Sequence, residues 1–455
     1  MKNLDVVIVG AGPAGIFAAM ELAKAEGLKV GIFEKGPDID ERSRADSLVT
    51  GWGGAGAYSD GKLTLSPGIG GQLNQILPER ELVELIREVD RIYVDFGASE
   101  KTYGVDPDSI AEWQHKAALA ELKLVPSEIR HMGTEVCPEI LHAMRDVLAK
   151  RVDIYTDTPV EQLIVEDRHV TGVVTADGES YSAKHVIVAP GREGADWLSE
   201  EAERLGIRRV NNPVDVGVRV EVPAAVMDSL TDSVYEPKLI FYSRKFDDRV
   251  RSFCVCPRGE VVMERGDGVM TVNGHSYARQ KTNNTNFALL VSTLFTEPFR
   301  EPITYGRYLA TLANLLSGGV IVQRLGDLQA GRRSTGARIE RGLVQPTLKE
   351  AVPGDLSFVL PYRYLEGILE MLQAMDKLTP GVGSRHSLLY GVEVKFYSSA
   401  LELSETLETQ IHGLFAIGDG AGVTRGLVQA SASGLVAARE ILRRAGKTKT
   451  LGNRD

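Results

Sequence analysis

Residues 5–9, Asp-Val-Val-Ile-Val, are a nearly unbroken β-branched run, the pattern of a strand covered on both faces. Gly-Ala-Gly-Pro-Ala-Gly follows at 10–15, then IFAAMELAKAEG with apolar positions at helical spacing, then a second apolar run, KVGIFEKG, at 29–36. The chain is therefore predicted to open on a β-α-β unit. From Glu79 to Phe96, the positions Leu82, Leu85, Ile86, Val89, Ile92, Tyr93 and Phe96 recur at i, i+3, i+4, i+7, which predicts a helix with one core-facing stripe. Beyond Val152 the period shortens. The stretches VDIYTDTPVEQLIVED, HVTGVVTADG and SYSAKHVIVAPG, with a turn at Asp177-Gly178, predict a small antiparallel element that feeds back into the first sheet. Residues 210–300 read as alternating strands and 304–375 as mostly helical, a separate α+β module. From about His412 a buried strand, GLFAIG, leads through a glycine turn to a helix beginning near Gly426, so the first domain is discontinuous in sequence.

Length agrees with that division, because 455 residues exceed what one core of about 250 to 300 residues accommodates. A net charge of -10 disfavours a dedicated nucleic-acid binder, which needs a basic surface to displace counterions from phosphate. Local basic runs do exist, at Arg332-Arg333 and at Arg443-Arg444 with Lys447 and Lys449, and read as solvated surface. Three cysteines, Cys137, Cys254 and Cys256, make no disulfide framework, and no apolar signal region precedes Asp5; both point to the cytoplasm. The longest apolar runs, such as 287–291, fall far short of the ~20 residues that span a bilayer, so an integral membrane protein is not expected.

The chemistry begins between the first strand and helix. Gly10, Gly12 and Gly15 stand where the turn must be tight, where backbone must approach a pyrophosphate and where helix must pack on strand. Free N–H groups and the positive end of the helix dipole would then hold the pyrophosphate. Glu34 ends the second strand, placed to accept hydrogen bonds from ribose hydroxyls. Asp419, between a buried strand and a second helix, is a candidate for a ribityl hydroxyl.

The motifs DVVIVGAGPAG with FEKG, VIVAPG at 186–191 and GLFAIGDGAG near the end resemble the two-dinucleotide-motif FAD superfamily related to glutathione reductase. GWGGAGAYSDGKLT at 51–64 and GDGAGVTRGLVQASASG at 418–434 further resemble uncharacterised bacterial and archaeal FAD-dependent dehydrogenases. The likeness covers roughly the first 200 and last 50 residues. It implies an α/β fold, a Rossmann-like FAD-binding domain at 1–205 and 406–455, with an inserted α+β substrate domain at 206–405. By that resemblance Gly53, Gly54, Ala55, Gly56, Ser59 and Asp60 would line the isoalloxazine, Val160 would pair its backbone with adenine, and Arg42 would sit near the pyrophosphate. Pro13, Ala14, Lys35, Pro190, Gly191 and Gly418 belong to the same motifs, and Gly426, Val428, Gln429 and Ala430 would open a helix toward the flavin.

Several absences narrow the reaction. No His, Cys or Tyr falls between Glu34 and Ala57, so FAD should be held non-covalently. No Cys-x-x-Cys occurs, which argues against a disulfide reductase, and Cys254 and Cys256 read as core packing on one strand face. No second strand-GxGxxG-helix unit for NAD(P)H is present; Gly381 and Gly383 follow a helical stretch. No metal site is expected. The expectation is a dehydrogenase or reductase passing a hydride between flavin N5 and a small organic substrate, with the electron donor or acceptor unspecified. Candidate polar groups in the central module are His275, Tyr277, Tyr390, Glu393, Lys395 and, foremost for anchoring or proton transfer, Arg385 and His386. Two alternatives stay open: a geranylgeranyl-type lipid reductase, and an RNA-modifying or redox-sensing flavoprotein using Arg332, Arg333 and Arg338. A flavin hydroxylase would need GDAAH-Pro where Gly420, Gly422 and Thr424 stand.

Overall fold

The structure is a computed structural model and describes residues 2–43, 49–210, 214–266, 268–277, 280–293, 302–395 and 400–447. The chain divides into two compact units, one of residues 1–100, 130–211 and 398–455 and one of residues 101–129 and 212–397.

The first unit is built on a five-stranded sheet in the order Leu414–Ala416, His185–Val188, Val6–Val9, Val30–Phe33, Asp153–Tyr155, every pairing parallel. All four residues of the central strand are buried, as its unbroken apolar run demands. The helix Pro13–Leu22 packs against the C-terminal helix Leu427–Arg444, and the crossing is close because Gly434 has no side chain: a Cβ there would lie 2.2 Å from the Ala14 carbonyl oxygen. The helix Glu79–Asp95 buries Leu82, Leu85, Ile86, Val89 and Tyr93. Val160–Glu166, His169–Thr175 and Ser180–Ser182 form the antiparallel meander. The strand-like stretch 152–167 forms two strands. Asp157, at φ 49°, breaks it, so that Asp153–Tyr155 joins the parallel sheet and only the second half enters the meander.

The second unit is an eight-stranded sheet in the order Val352–Pro353, Ile321–Arg324, Leu388–Lys395, Val214–Pro223, Asn284–Thr293, Arg249–Cys256, Lys238–Tyr242, Lys123–Val125. Residues 101–129, grouped by sequence with the first stretch, count with this unit; Lys123–Val125 pairs antiparallel with Lys238–Tyr242. The expected helical stretch at 304–375 holds the helices Pro302–Ser317 and Tyr362–Leu378, but also the strands Ile321–Arg324 and Val352–Pro353. On Val214–Pro223 the valines face an apolar core, while Asp215, Arg219 and Glu221 on the opposite face are also buried. Burial there is tolerated because the charges are paired: Arg219 grips Glu393 through Nε and Nη2 at 2.8 and 2.9 Å. Cys254 and Cys256 lie at a bulge rather than in regular alternation. Cys254 has φ 46°, the ladder slips between Phe253 and Cys256, and the two sulfurs are 3.8 Å apart.

Candidate cofactor site

Two glycines of the first turn, Gly10 and Gly15, are required by close approach. Gly10 has φ +103°, and a Cβ on it would lie 2.2 Å from the Ala189 carbonyl oxygen; one on Gly15 would lie 2.0 Å from the Gly10 oxygen. Gly12 differs. It caps the helix Pro13–Leu22 without a side-chain hydrogen bond, and a Cβ there would stand in open space. Pro13 has no N–H to lose, and the N–H groups of Ala14 and Gly15 lie ahead of the first helical bond, which Ile16 donates to the Gly12 oxygen. An anion is what such an end accepts.

Glu34 is buried and does more than the sequence reading expected. Its Oε2 accepts from the Ala11 N–H at 2.8 Å, and its Oε1 from the Gly36 and Gly51 N–H groups at 3.0 and 2.9 Å. A carboxylate has about four lone-pair sites, so one remains for a hydroxyl once these three are filled. Lys35, the next residue, faces Glu193 at 3.7 Å on a half-exposed surface.

The turn at 51–60 folds back over this loop. The Gly53 N–H donates to the Ala11 oxygen at 2.7 Å, and Gly53 and Gly54 have φ +87° and +52°. A Cβ on Gly54 would lie 3.1 Å from Gly12 Cα, and one on Gly56 3.1 Å from both Pro13 and Leu427, while Ala55 is half-buried between them. Arg42 binds this turn: its Nη1 donates to the Gly54 oxygen at 3.0 Å and to the Trp52 oxygen, and its guanidinium lies 5.0 Å above the Tyr58 ring. These contacts make Arg42 a clamp on the turn's carbonyls, whatever else it meets. Ser59 Oγ donates to the Gly56 oxygen at 3.1 Å, and Asp60 pairs with the buried Lys62 ammonium at 2.9 Å. Cys137, behind the turn, is buried and its thiol is pushed up to about 12 by that burial, so it stays protonated.

The returning segment completes the arrangement. Gly418, at φ +75°, precedes a short turn at Asp419–Ala421, and Gly420 nests against the turn of Pro190 and Gly191, where a Cβ would lie 2.5 Å from the Gly191 oxygen. Asp419 accepts from the Thr424 hydroxyl at 2.8 Å, and its other oxygen from the Gly426 N–H at 3.4 Å. The helix starts at Leu427 behind Gly426 at φ +88°, again without a side-chain cap. Val428 and Ala430 are buried, and Gln429 donates to the Ile69 oxygen at 2.9 Å while its own Oε1 is buried without a hydrogen-bond partner among the described residues. The segment 66–72 also packs here, and no motif in the sequence marks it. The Arg425 N–H donates to the Gly70 oxygen at 2.6 Å and the Gln72 N–H to the Val423 oxygen at 2.9 Å; glycines at 68, 70 and 71 were the available signal. Val160 is buried at the start of the meander, opposite Thr175.

Arg385 and His386 belong to the second unit. Arg385 is exposed and its Nε donates to His386 Nε2 at 3.3 Å; burial, then Arg324 and Arg385, hold the imidazole below its ordinary value, so it is neutral at pH 7. Tyr390 and Glu393 are committed to the protein itself. The Tyr390 hydroxyl donates to Glu221, and Glu393 binds Arg219 and, at 3.0 Å, Lys395. His275 is buried too.

Two uncapped helix starts, at Gly12 and Gly426, with open space over Gly12, Gly191 and Gly426, fit a group that carries a pyrophosphate and a flat ring. A profile described as FAD dependent oxidoreductase matches residues 5–287; one described as FAD-dependent protein, C-terminal domain-like, matches 213–396, and one described as Glucose inhibited division protein A matches 347–449. An uncharacterized protein of Clostridium beijerinckii is 27% identical over 472 residues, spanning 96% of this chain and 80% of that protein. A thiamine thiazole synthase of Pyrococcus abyssi is 29% identical over 235 residues, 45% of this chain and 71% of that one. Among solved structures, glycine oxidase from Bacillus cereus aligns with 18% identity over 99% of both chains at a TM-score of 0.38. Among the described residues no helix is long and apolar enough to cross a membrane. The first profile spans more than half of the sequence, and the chain belongs to the FAD dependent oxidoreductase family.

Proposed function

We propose that the first unit holds FAD non-covalently through the residues around Gly12, Glu34, the 51–60 turn and Gly426, and that the protein is a cytoplasmic dehydrogenase or reductase of a small organic molecule. FAD, when bound, supplies two-electron hydride chemistry. The chain's own residues have simpler tasks. The uncapped N–H groups behind Gly12 bind the pyrophosphate, Glu34 accepts from ribose hydroxyls, and Asp419 accepts from the ribityl chain. The glycines at 53, 54 and 56 let main chain approach a flat ring, with Ser59 and Asp60 at its margin. The N–H groups of Leu427, Val428 and Gln429, at an uncapped helix start, would offer about half a positive charge to the pyrimidine edge of that ring. Arg385 would anchor an acidic or polar group of the substrate, and His386, neutral at pH 7, would carry a proton.

The observation that carries this reading is the pair of uncapped, glycine-led helix starts on one parallel sheet. Purified protein is expected to be yellow and to release intact FAD on acid or heat denaturation. Flavin retained in the precipitate would overturn non-covalent binding, and colourless protein that takes up no FAD would overturn the site.

A further inference from the structure

Two segments far apart in sequence meet edge to edge in the second unit. Ile321–Arg324 pairs antiparallel with Leu388–Lys395, Arg324 opposite Leu388. The pairing runs on past the strands, since the Leu325 N–H donates to the Ser387 oxygen at 2.9 Å and the Gly326 N–H to the Arg385 oxygen at 3.1 Å. Gly326 permits it, because a Cβ there would lie 2.6 Å from that of Arg385. Arg385 and His386 are thereby held beside the start of the segment 324–338, which carries Arg324 at the end of its strand, Arg332 in the following turn and Arg338 in the helix Gly336–Glu340.

The charges in this cluster do not balance. The Asp327 carboxylate is buried and accepts from Arg332 Nε and from the Ser334 hydroxyl, both at 2.9 Å, while Arg324 and Arg338 each bring Nη1 to 4.0 Å. Four arginines against one aspartate leave three positive charges, in a chain whose net charge is -10. Main-chain carbonyls occupy some donors: Arg324 Nη1 binds the Arg338 oxygen at 3.1 Å and Arg338 Nη1 the Arg333 oxygen at 3.0 Å. Others are not so occupied: among the described residues, Arg324 Nε and His386 Nδ1 are buried without a hydrogen-bond partner. Because His386 Nε2 accepts from Arg385, the imidazole proton sits on that unpartnered Nδ1. Buried donors without acceptors are rare in proteins, and two at one place argue for an absent acceptor.

We propose that Arg324, Arg332, Arg338, Arg385 and His386 form a binding site for a small phosphate-bearing molecule. Guanidinium forks match phosphate oxygens in pairs, and a phosphate dianion offers three terminal oxygens and two charges to this excess. A carboxylate offers two oxygens and one charge. A long polyanion such as RNA is the poorer fit, since three of the arginines converge on a single buried aspartate instead of forming a stripe. The site goes beyond the flavin reading and stands whether or not its ligand is the molecule oxidised.

The test is calorimetric titration of FAD-loaded protein, whose flavin site is already filled, with pyrophosphate, with malonate and with a single-stranded RNA oligomer. Pyrophosphate is expected to bind and to weaken at high salt, with malonate about tenfold poorer. Arg332→Gln, at a side chain 56% exposed, and Arg338→Gln should each weaken pyrophosphate by about tenfold, with urea midpoints taken for both variants to show that each is folded. Pyrophosphate should also shift the His386 Nδ1 resonance. No binding to the native protein, variants that bind pyrophosphate as tightly as the native protein, malonate as tight as pyrophosphate, or RNA tighter than either would overturn the proposal.

Discussion

Glu34 accepts main-chain N–H groups from Ala11, Gly36 and Gly51, so glutamine in its place keeps the shape but turns an amide NH2 toward one of those donors. Glu34→Gln is expected to lower the stability of FAD-free protein by about 1 to 3 kcal/mol, measured by urea denaturation, and to weaken FAD as well. If only FAD affinity moves, Glu34 is a ligand and no clamp. The proposal of a ribose role rests on an acid at the end of the second strand, which the sequence shows. The clamp was not, because Gly51 reaches Glu34 only after the 49–54 turn has folded back. Lys238 shows the converse, a titration invisible in sequence. Burial, then the neighbouring Arg251, holds its ammonium down to about 8 from 10.5. Between those two values the unfolded chain binds the extra proton, so stability rises with pH across that window and the full penalty is present below it. Lys238→Met is expected to raise stability at pH 7 and to flatten the rise between pH 8 and 10, as urea midpoints at each pH would report. An unchanged slope would place the ammonium in water.

At the scale of elements, the helix crossing at Gly434 gives a prediction whose sign is informative. In an exposed helix interior Gly→Ala stabilises by up to about 1 kcal/mol. Here the added methyl would meet the Ala14 carbonyl oxygen at 2.2 Å, backbone that cannot swing away. Gly434→Ala is therefore expected to destabilise, by about 1 to 3 kcal/mol in chemical denaturation, since the helices must part to admit it. Elements with one strong period were readable from sequence: the strand Val6–Val9, the helix Glu79–Asp95, the meander turn at Gly178 and the C-terminal helix all stand where the pattern put them. What escaped were elements defined by partners distant in sequence. Lys123–Val125 is a three-residue strand that becomes one only on meeting Lys238–Tyr242. The charged face of Val214–Pro223 reads as a solvated face in alternation, and only the Arg219 pairing with Glu393, 174 residues on, explains how it is buried. The bulge at Cys254 likewise depends on a slip against Asn284–Thr293.

For the molecule as a whole, the contrast is between a first unit whose motifs were read in advance and a second whose ligand chemistry was not. The glycine loops declare themselves because main-chain contacts to a pyrophosphate demand a fixed spacing of glycines. Substrate groups carry no such rule; Arg385 and His386 gained their context only from the pairing that sets them beside Arg324. The last prediction follows from the way the first unit is proposed to hold FAD. All the contacts assigned there are reversible: N–H groups of two helix starts, a carboxylate and glycine backbone. A reversible ligand that binds only folded protein stabilises it by RT ln(1 + [L]/Kd), about 2.7 kcal/mol at a hundred times Kd. For a unit of this size that corresponds to roughly 5 to 10 °C in melting temperature. The midpoint, followed by calorimetry, should therefore climb steadily as free FAD is raised above Kd, and Glu34→Gln should need more FAD to reach the same midpoint. A covalently tethered flavin would give a midpoint indifferent to added FAD. A midpoint that rises in the native protein and equally in Glu34→Gln would keep the flavin reversible but remove Glu34 from its site.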